Sequence, residues 1–196
     1  MDALWTTLVN WLHGLGLHAG TGVVHEVGGQ VAEGVSAAAS QLDMPSLLAL
    51  AAALGWASGF RLYAVVFLVG MMGVLGWMPL PPGLAMLQHP LVLMVSGFML
   101  MVEFFADKVP WVDSAWDAVH AFIRVPAGAA LAYGVFGADN ATMAVVAGLL
   151  GGSLSATSMA TKMTTRAAVN TSPEPFSNWG LSFFEDGLVV AVVWLA

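Results

Sequence analysis

Residues 46–78 read SLLALAAALGWASGFRLYAVVFLVGMMGVLGWM, an apolar run broken only by Gly55, Ser58, Gly59 and Arg61. About 20 helical residues cross the hydrocarbon core of a bilayer, so this run is longer than one upright crossing. It predicts either one tilted helix or two half-helices meeting at Gly55–Arg61. Gly55 and Gly59 carry the Gly-x-x-x-Gly spacing that lets helix backbones approach closely in lipid. Arg61 stands near the middle of the run. A cation at the bilayer centre costs roughly 2.5–3.5 kcal/mol even on lenient insertion scales. Its presence there calls for an acidic partner and marks it as a functional candidate.

The same pattern recurs outward along the chain. All five basic residues (Arg61, Lys108, Arg124, Lys162 and Arg166) lie inside or at the edge of apolar segments, and acidic residues accompany them. The chain of 196 residues is 59% hydrophobic and only 9% charged, against about 25% charged in an average soluble domain. A soluble fold of this size could not hide that much apolar surface. The composition predicts an all-α, polytopic helical membrane protein. The net charge of −7 argues against nucleic acid or an anionic lipid surface as the main partner. The absence of cysteine excludes disulfides and thiolate metal sites.

Residues 1–45 are expected to form an amphipathic, interfacial leader, with Trp5 and Trp11 at headgroup level. It has no basic residue, so a secretory signal is not expected there. Residues 46–196 are expected to form the helical membrane domain. After the first run, Pro79, Pro81, Pro82 and Gly83 make a loop. Residues 91–106 are apolar. Residues 111–124 read as an amphipathic helix, 125–138 as a short apolar piece, 141–169 as a long small-residue helix and 179–196 as the last one. About five membrane-embedded helices are expected, some short, broken or re-entrant. Irregular backbone at that depth is tolerated only against protein or water, and broken helices are typical of transport sites. Pro110-Trp111-Val112-Asp113 and Pro175-Phe176-Ser177-Asn178 share a Pro–aromatic–x–Asp/Asn pattern, which fits an internal repeat or two ordinary helix starts.

Four constellations could carry chemistry beside Arg61. Glu103 and Asp107 lie one helical turn apart and could bind a cation or share a proton, with Lys108 placed to neutralise one of them. Asp113, Asp117, His120 and Arg124 are spaced by four, three and four residues, one face of a helix. That face suits half a metal site, an ion or proton pathway, or a structural polar stripe; Asp113 could also cap the helix. Lys162 and Arg166 stand one turn apart and need anions, for which Glu103, Asp107, Glu185 and Asp186 are the candidates. Residues 170–179, with Asn170, Glu174 and Asn178, hold two prolines two apart and predict a rigid, non-helical loop lining a cavity. No nucleophile elbow, phosphate-binding loop, zinc-protease motif or dinucleotide fingerprint is present.

Gly59-Phe60-Arg61-Leu62-Tyr63, Asp107-Lys108-Val109-Pro110-Trp111-Val112-Asp113 with Trp116, Asp117 and His120, and Asn170 through Trp179 with Glu185-Asp186 resemble the bacterial membrane family known as domain of unknown function 4126. The resemblance covers roughly residues 46–196 and implies a small multi-pass protein of the inner membrane. It implies no reaction and no catalytic residue.

These readings favour a small transporter or channel for an ion or small solute. Its pathway would draw on Arg61, Glu103, Asp107, Lys108, Asp113, Asp117, His120, Arg124, Lys162, Arg166, Asn170, Glu174, Asn178, Glu185 and Asp186. Few spans are available for a roomy single-chain pathway, so a homo-oligomer in the lipid bilayer is expected, with no cofactor and no nucleic-acid partner. The alternatives are a membrane-embedded enzyme acting on a lipid head group and a structural scaffold whose charges staple the bundle.

Overall fold

The computed structural model describes residues 43–109, 111–137, 140–171 and 176–196. Of the expected leader over 1–45, residues 1–42 lie outside the described residues, and Asp43, Met44 and Pro45 form the cap and first turn of the first membrane helix. Helix α1 spans Met44–Val74, a short 3-10 helix spans Pro82–Gln88, and α2, α3, α4 and α5 span Pro90–Ala106, Val112–Phe136, Ala141–Val169 and Phe176–Leu195. Helices α1, α3, α4 and α5 are long and apolar enough to cross a membrane. The 3-10 helix and α2 form a pair bent by 68°, the shape of a broken span or a re-entrant loop. The architecture is the expected all-α, polytopic membrane fold, with four helices of spanning length and one bent pair. Its outer surface agrees: Phe98, Phe105, Phe122, Phe184 and Trp194 are all exposed, a belt that water would not tolerate but lipid does.

Helix α1 begins where the Asp43 carboxylate accepts the Ser46 amide at 3.0 Å, with Pro45 in the first turn. It breaks at Arg61, whose backbone (φ −147°, ψ 80°) is extended. The two half-helices of the sequence reading therefore meet at Arg61 itself. Helix α3 differs from expectation. The amphipathic stretch 111–124 and the apolar piece 125–138 are one helix that runs through Pro126. Proline removes one ladder hydrogen bond, yet the buried face of Gly128, Leu131, Ala132 and Val135 continues beyond it and holds the helix together. Asp113 is not the cap; Trp111 is, and it makes no side-chain capping bond. Trp111 takes a left-handed conformation (φ 71°), which costs a non-glycine residue about 1–2 kcal/mol. That tight corner brings the end of α2 beside the start of α3.

Small residues set the packing. A Cβ built on Gly55 would lie 2.4 Å from the Gly151 Cα, and one on Gly59 would lie 2.3 Å from the Ser155 carbonyl oxygen. The order of these contacts means that the first half of α1 and α4 run in the same direction. Gly128 of α3 meets Ser58 and Ser155, while Gly148 meets Tyr133, so α3 runs opposite to α4. These three helices form the centre of the fold. Helix α5 leans mainly on α1, through Ser182 on Arg61, while Trp194 packs against Trp77 in the turn that follows α1.

Candidate functional site

The four largest fully buried side chains are all cations: Arg61, Arg124, Arg166 and Lys162. Removing an ion from water costs several kcal/mol even after relaxation, so each must be matched. Lys162 is the centre. Its ammonium lies 3.1 Å from Asp117, 3.3 Å from Asp107 and 3.9 Å from both Glu103 and Glu185. It also donates to the Phe60 carbonyl at 3.3 Å, at the break in α1. Four helices and the α2–α3 corner thus converge on one nitrogen.

The three arginines extend this centre in different directions. Arg61 reaches Asp107 at 2.9 Å and Asp186 at 2.8 Å, and donates to the Ser182 hydroxyl at 3.0 Å. Arg166 holds both Glu185 oxygens, at 2.7 and 3.3 Å, in the forked geometry that suits a guanidinium. It donates to the Asp107 carbonyl at 2.7 Å and lies 3.7 Å from Asp113. Arg124 bridges Asp117, at 2.7 Å, and Glu103, in a very short contact. Arg61, expected to pair with Asp113 or Asp117 or with the acids that follow the 170–179 stretch, does meet Glu185 and Asp186, but Asp107, 2.9 Å away, comes from the end of α2. The anions expected for Lys162 and Arg166 are met by Glu103, Asp107 and Glu185, with Asp113 and Asp117 in addition.

Spacing explains why these helices contribute. Asp113, Asp117, His120 and Arg124 do share the buried face of α3. They do not act together as a metal half-site, because each turns to a different neighbour. Asp113 accepts from the Asn170 amide at 2.9 and 3.2 Å, Asp117 takes Arg124 and Lys162, and the His120 Nδ1 lies 2.8 Å from the Trp116 carbonyl. His120 also stacks on Trp116 and meets the Tyr63 ring edge-on. Among the described residues, no group of three His, Asp or Glu side chains could hold a metal ion. Asn178 donates to the Asn170 oxygen at 2.7 Å. The two halves of the suspected repeat, Asp113 and Asn178, therefore meet on one side chain. Glu174 lies outside the described residues.

Lys108 departs from expectation. It does not neutralise Glu103 or Asp107. Its ammonium sits 3.0 Å over the Phe104 ring and donates to the Phe104 carbonyl, and burial lowers its pKa from the ordinary value. Three cations, Arg61, Lys162 and Arg166, already surround Asp107 and repel a fourth. Burial by itself pushes the Asp107 carboxyl up, but Lys162, Arg61 and Arg166 outweigh it and hold the group below its usual range. Asp186 is the one acid of the cluster with appreciable exposure, at 26% of its side chain.

Sequence reasoning missed Ser182, Tyr63 and the Phe60 carbonyl. Ser182 had a signal: Asn178, Ser182, Glu185 and Val189 are spaced four, three and four, and all are buried. The carbonyl had none, because only the helix break makes it available.

A family model described as Domain of unknown function (DUF4126) matches residues 48–196. No curated protein and no solved structure matches the chain.

Proposed function

The chain belongs to the DUF4126 family, whose description assigns no reaction, and we propose from the buried charges that it is a small membrane transporter or channel moving a proton or cation. The observation that carries this reading is the assembly of carboxylates around Lys162 inside a bundle of membrane-spanning length. The cluster draws on four basic residues, Arg61, Arg124, Lys162 and Arg166, and on six acids: Glu103, Asp107, Asp113, Asp117, Glu185 and Asp186. Acids outnumber bases in a dry setting, where neighbouring carboxylates cannot all stay ionised without counter-charge. A shared proton or a bound cation balances the excess. Charged groups then form a relay from the partly exposed Asp186 through Arg61, Asp107 and Lys162 to Asp117 and Glu103. Polar relays of this kind inside membranes are associated with ion and proton pathways. The bacterial inner membrane and a homo-oligomeric assembly belong to the same reading.

The test is current from purified protein in liposomes on a solid-supported membrane, scanned over pH steps and a panel of ions. A saturable current is expected, lost in Asp107→Asn while the protein stays folded. Unchanged current in that variant sinks the assignment of Asp107. A second reading, a scaffold stapled by charge, is favoured by the completeness of pairing: every buried cation has at least two carboxylates within 4 Å. Under it, swapping Arg61 with Asp186 restores function, which a directional relay does not allow.

A further inference from the structure

Glu103 of α2 and Asp117 of α3 face the same guanidinium. Arg124 donates through Nη1 to Asp117 Oδ1 at 2.7 Å and through Nη2 to Glu103 Oε1. Those two nitrogens are neighbours on one rigid, planar group, so the two carboxylates lie beside each other along its edge. Both side chains are buried. Lys162 approaches the same two oxygens, Asp117 Oδ1 at 3.1 Å and Glu103 Oε1 at 3.9 Å. The second oxygen of each carboxylate, Glu103 Oε2 and Asp117 Oδ2, is buried with no hydrogen-bond partner. A buried acceptor left without a donor is costly, the more so when it is charged.

Positive charge is short at the same place. The pair has one cation of its own, Arg124. Lys162 is the other, and it also serves Asp107 at 3.3 Å and Glu185 at 3.9 Å. Asp107 has a free oxygen too, but Arg61, Lys162 and Arg166 all lie within 4 Å of that carboxylate. Glu185 has both oxygens on Arg166. Two adjacent carboxylates in a dry site resist ionising together. A metal cation takes several oxygen ligands at once, and among the described residues no three His, Asp or Glu side chains converge in that way. A proton needs only one oxygen, and there it turns an orphaned acceptor into a donor.

We propose that the ion this protein handles is the proton, and that Glu103 and Asp117 hold one between them on the oxygens that Arg124 leaves free. This rests on the transport reading above and names its ion. The proton belongs to the pair rather than to either residue. The groups that act on the pair are Arg124 from α3, Lys162 from α4 and the Tyr63 phenol from α1. Asp107 at the end of α2 and Glu185 of α5 act on it by competing for Lys162. Lys162 sets the release: leaning toward Asp107 it leaves the pair its proton, and leaning toward Asp117 it takes over that charge.

The experiment is infrared absorption of the full chain in nanodiscs of ether-linked lipid, which has no ester carbonyl, with empty discs as the blank. A protonated carboxyl shows a C=O stretch above the amide and carboxylate bands, and that stretch moves down in D₂O. At neutral pH the wild type should show the band. It should vanish in Glu103→Gln and in Asp117→Asn, since either change leaves a single carboxylate for Arg124. Sodium, potassium and magnesium chloride, each added alone, should leave the wild-type band in place. No band in the wild type overturns the proposal, and that outcome needs no variant to fold. A band that survives both substitutions puts the proton on another acid and overturns it too. A band displaced by one of the salts makes this a metal-cation site and also overturns it. The band together with silence in pH-step currents upholds the shared proton and sinks the transport reading. Current carried by a metal ion with no band does the reverse.

Discussion

Helices α1 and α4 meet in two regions that are held together by opposite means. Along Gly55–Gly151 and Gly59–Ser155 the backbones touch and nothing charged is present. Two turns further on both helices bring cations, Arg61 from α1 and Lys162 and Arg166 from α4, which are joined through the Asp107 carboxylate they share and through the Lys162 bond to the Phe60 carbonyl. The first region gains from dispersion between atoms in contact, the chief attraction left when lipid surrounds every helix. It has no room for another carbon. The second gains from Coulomb attraction at low dielectric, offset by desolvation. It has room for shape changes but no tolerance for an unmatched charge. One pair of helices thus carries a rigid seam beside a site whose pairings can exchange.

Four changes break or sharpen this contrast. Gly55→Val should be the most damaging, since its side chain would overlap the Gly151 backbone rather than a side chain that can turn away. We expect a loss of ~5 kcal/mol or more, in the exceptional range for single substitutions, seen as failure to recover monodisperse protein. Lys162→Met comes next, at about 3–5 kcal/mol, the usual cost of removing one partner of a buried ion set. Adding Asp117→Asn should recover part of that loss, whereas no second change on the polar side should recover Gly55→Val. Thermal unfolding in one detergent reads both.

The third concerns pH. The Asp107 carboxyl is lowered in the fold, because Lys162, Arg61 and Arg166 outweigh its burial. Its stabilisation is therefore fully present above the ordinary carboxylate pKa and is lost as pH falls through the lower folded value. Melting curves should show that acid-side loss in the wild type and a flatter profile in Asp107→Asn. The smallest effect is expected for Ser182→Ala, which removes one hydroxyl from Arg61 while three carboxylates remain near it. About 1 kcal/mol is the typical worth of such a bond. A loss as large as that of Lys162→Met would mean that the polar region is as unforgiving as the glycine seam.

Much of this was legible without coordinates. Periodicity marked α4 at 141–169, the end of α2 at Asp107, and the single face of Asp113, Asp117, His120 and Arg124, because a helix repeats every 3.6 residues whatever surrounds it. The break in α1 was expected near Gly55–Arg61. Other features were not legible. The change from an amphipathic pattern over 111–124 to an apolar one over 125–138 suggested two pieces, but the buried face runs on through Pro126 and makes them one helix. Lys108 suggested a neutraliser by its place beside Asp107, but three other cations already occupy that carboxylate. Neighbours along the chain are poor guides to partners when the partners come from other helices.

The sequence by itself determined that this chain is a helical membrane protein whose cations need anions, because hydropathy and charge act on each segment separately. It also determined which faces carry the polar groups, since spacing along a helix is local. Only the tertiary structure decided who pairs with whom. Lys162 meets acids from α2, α3 and α5 and a carbonyl freed in α1, and glycines set how closely α1, α3 and α4 approach around it. Pairing is a property of distance in space, and distance in space was settled by packing.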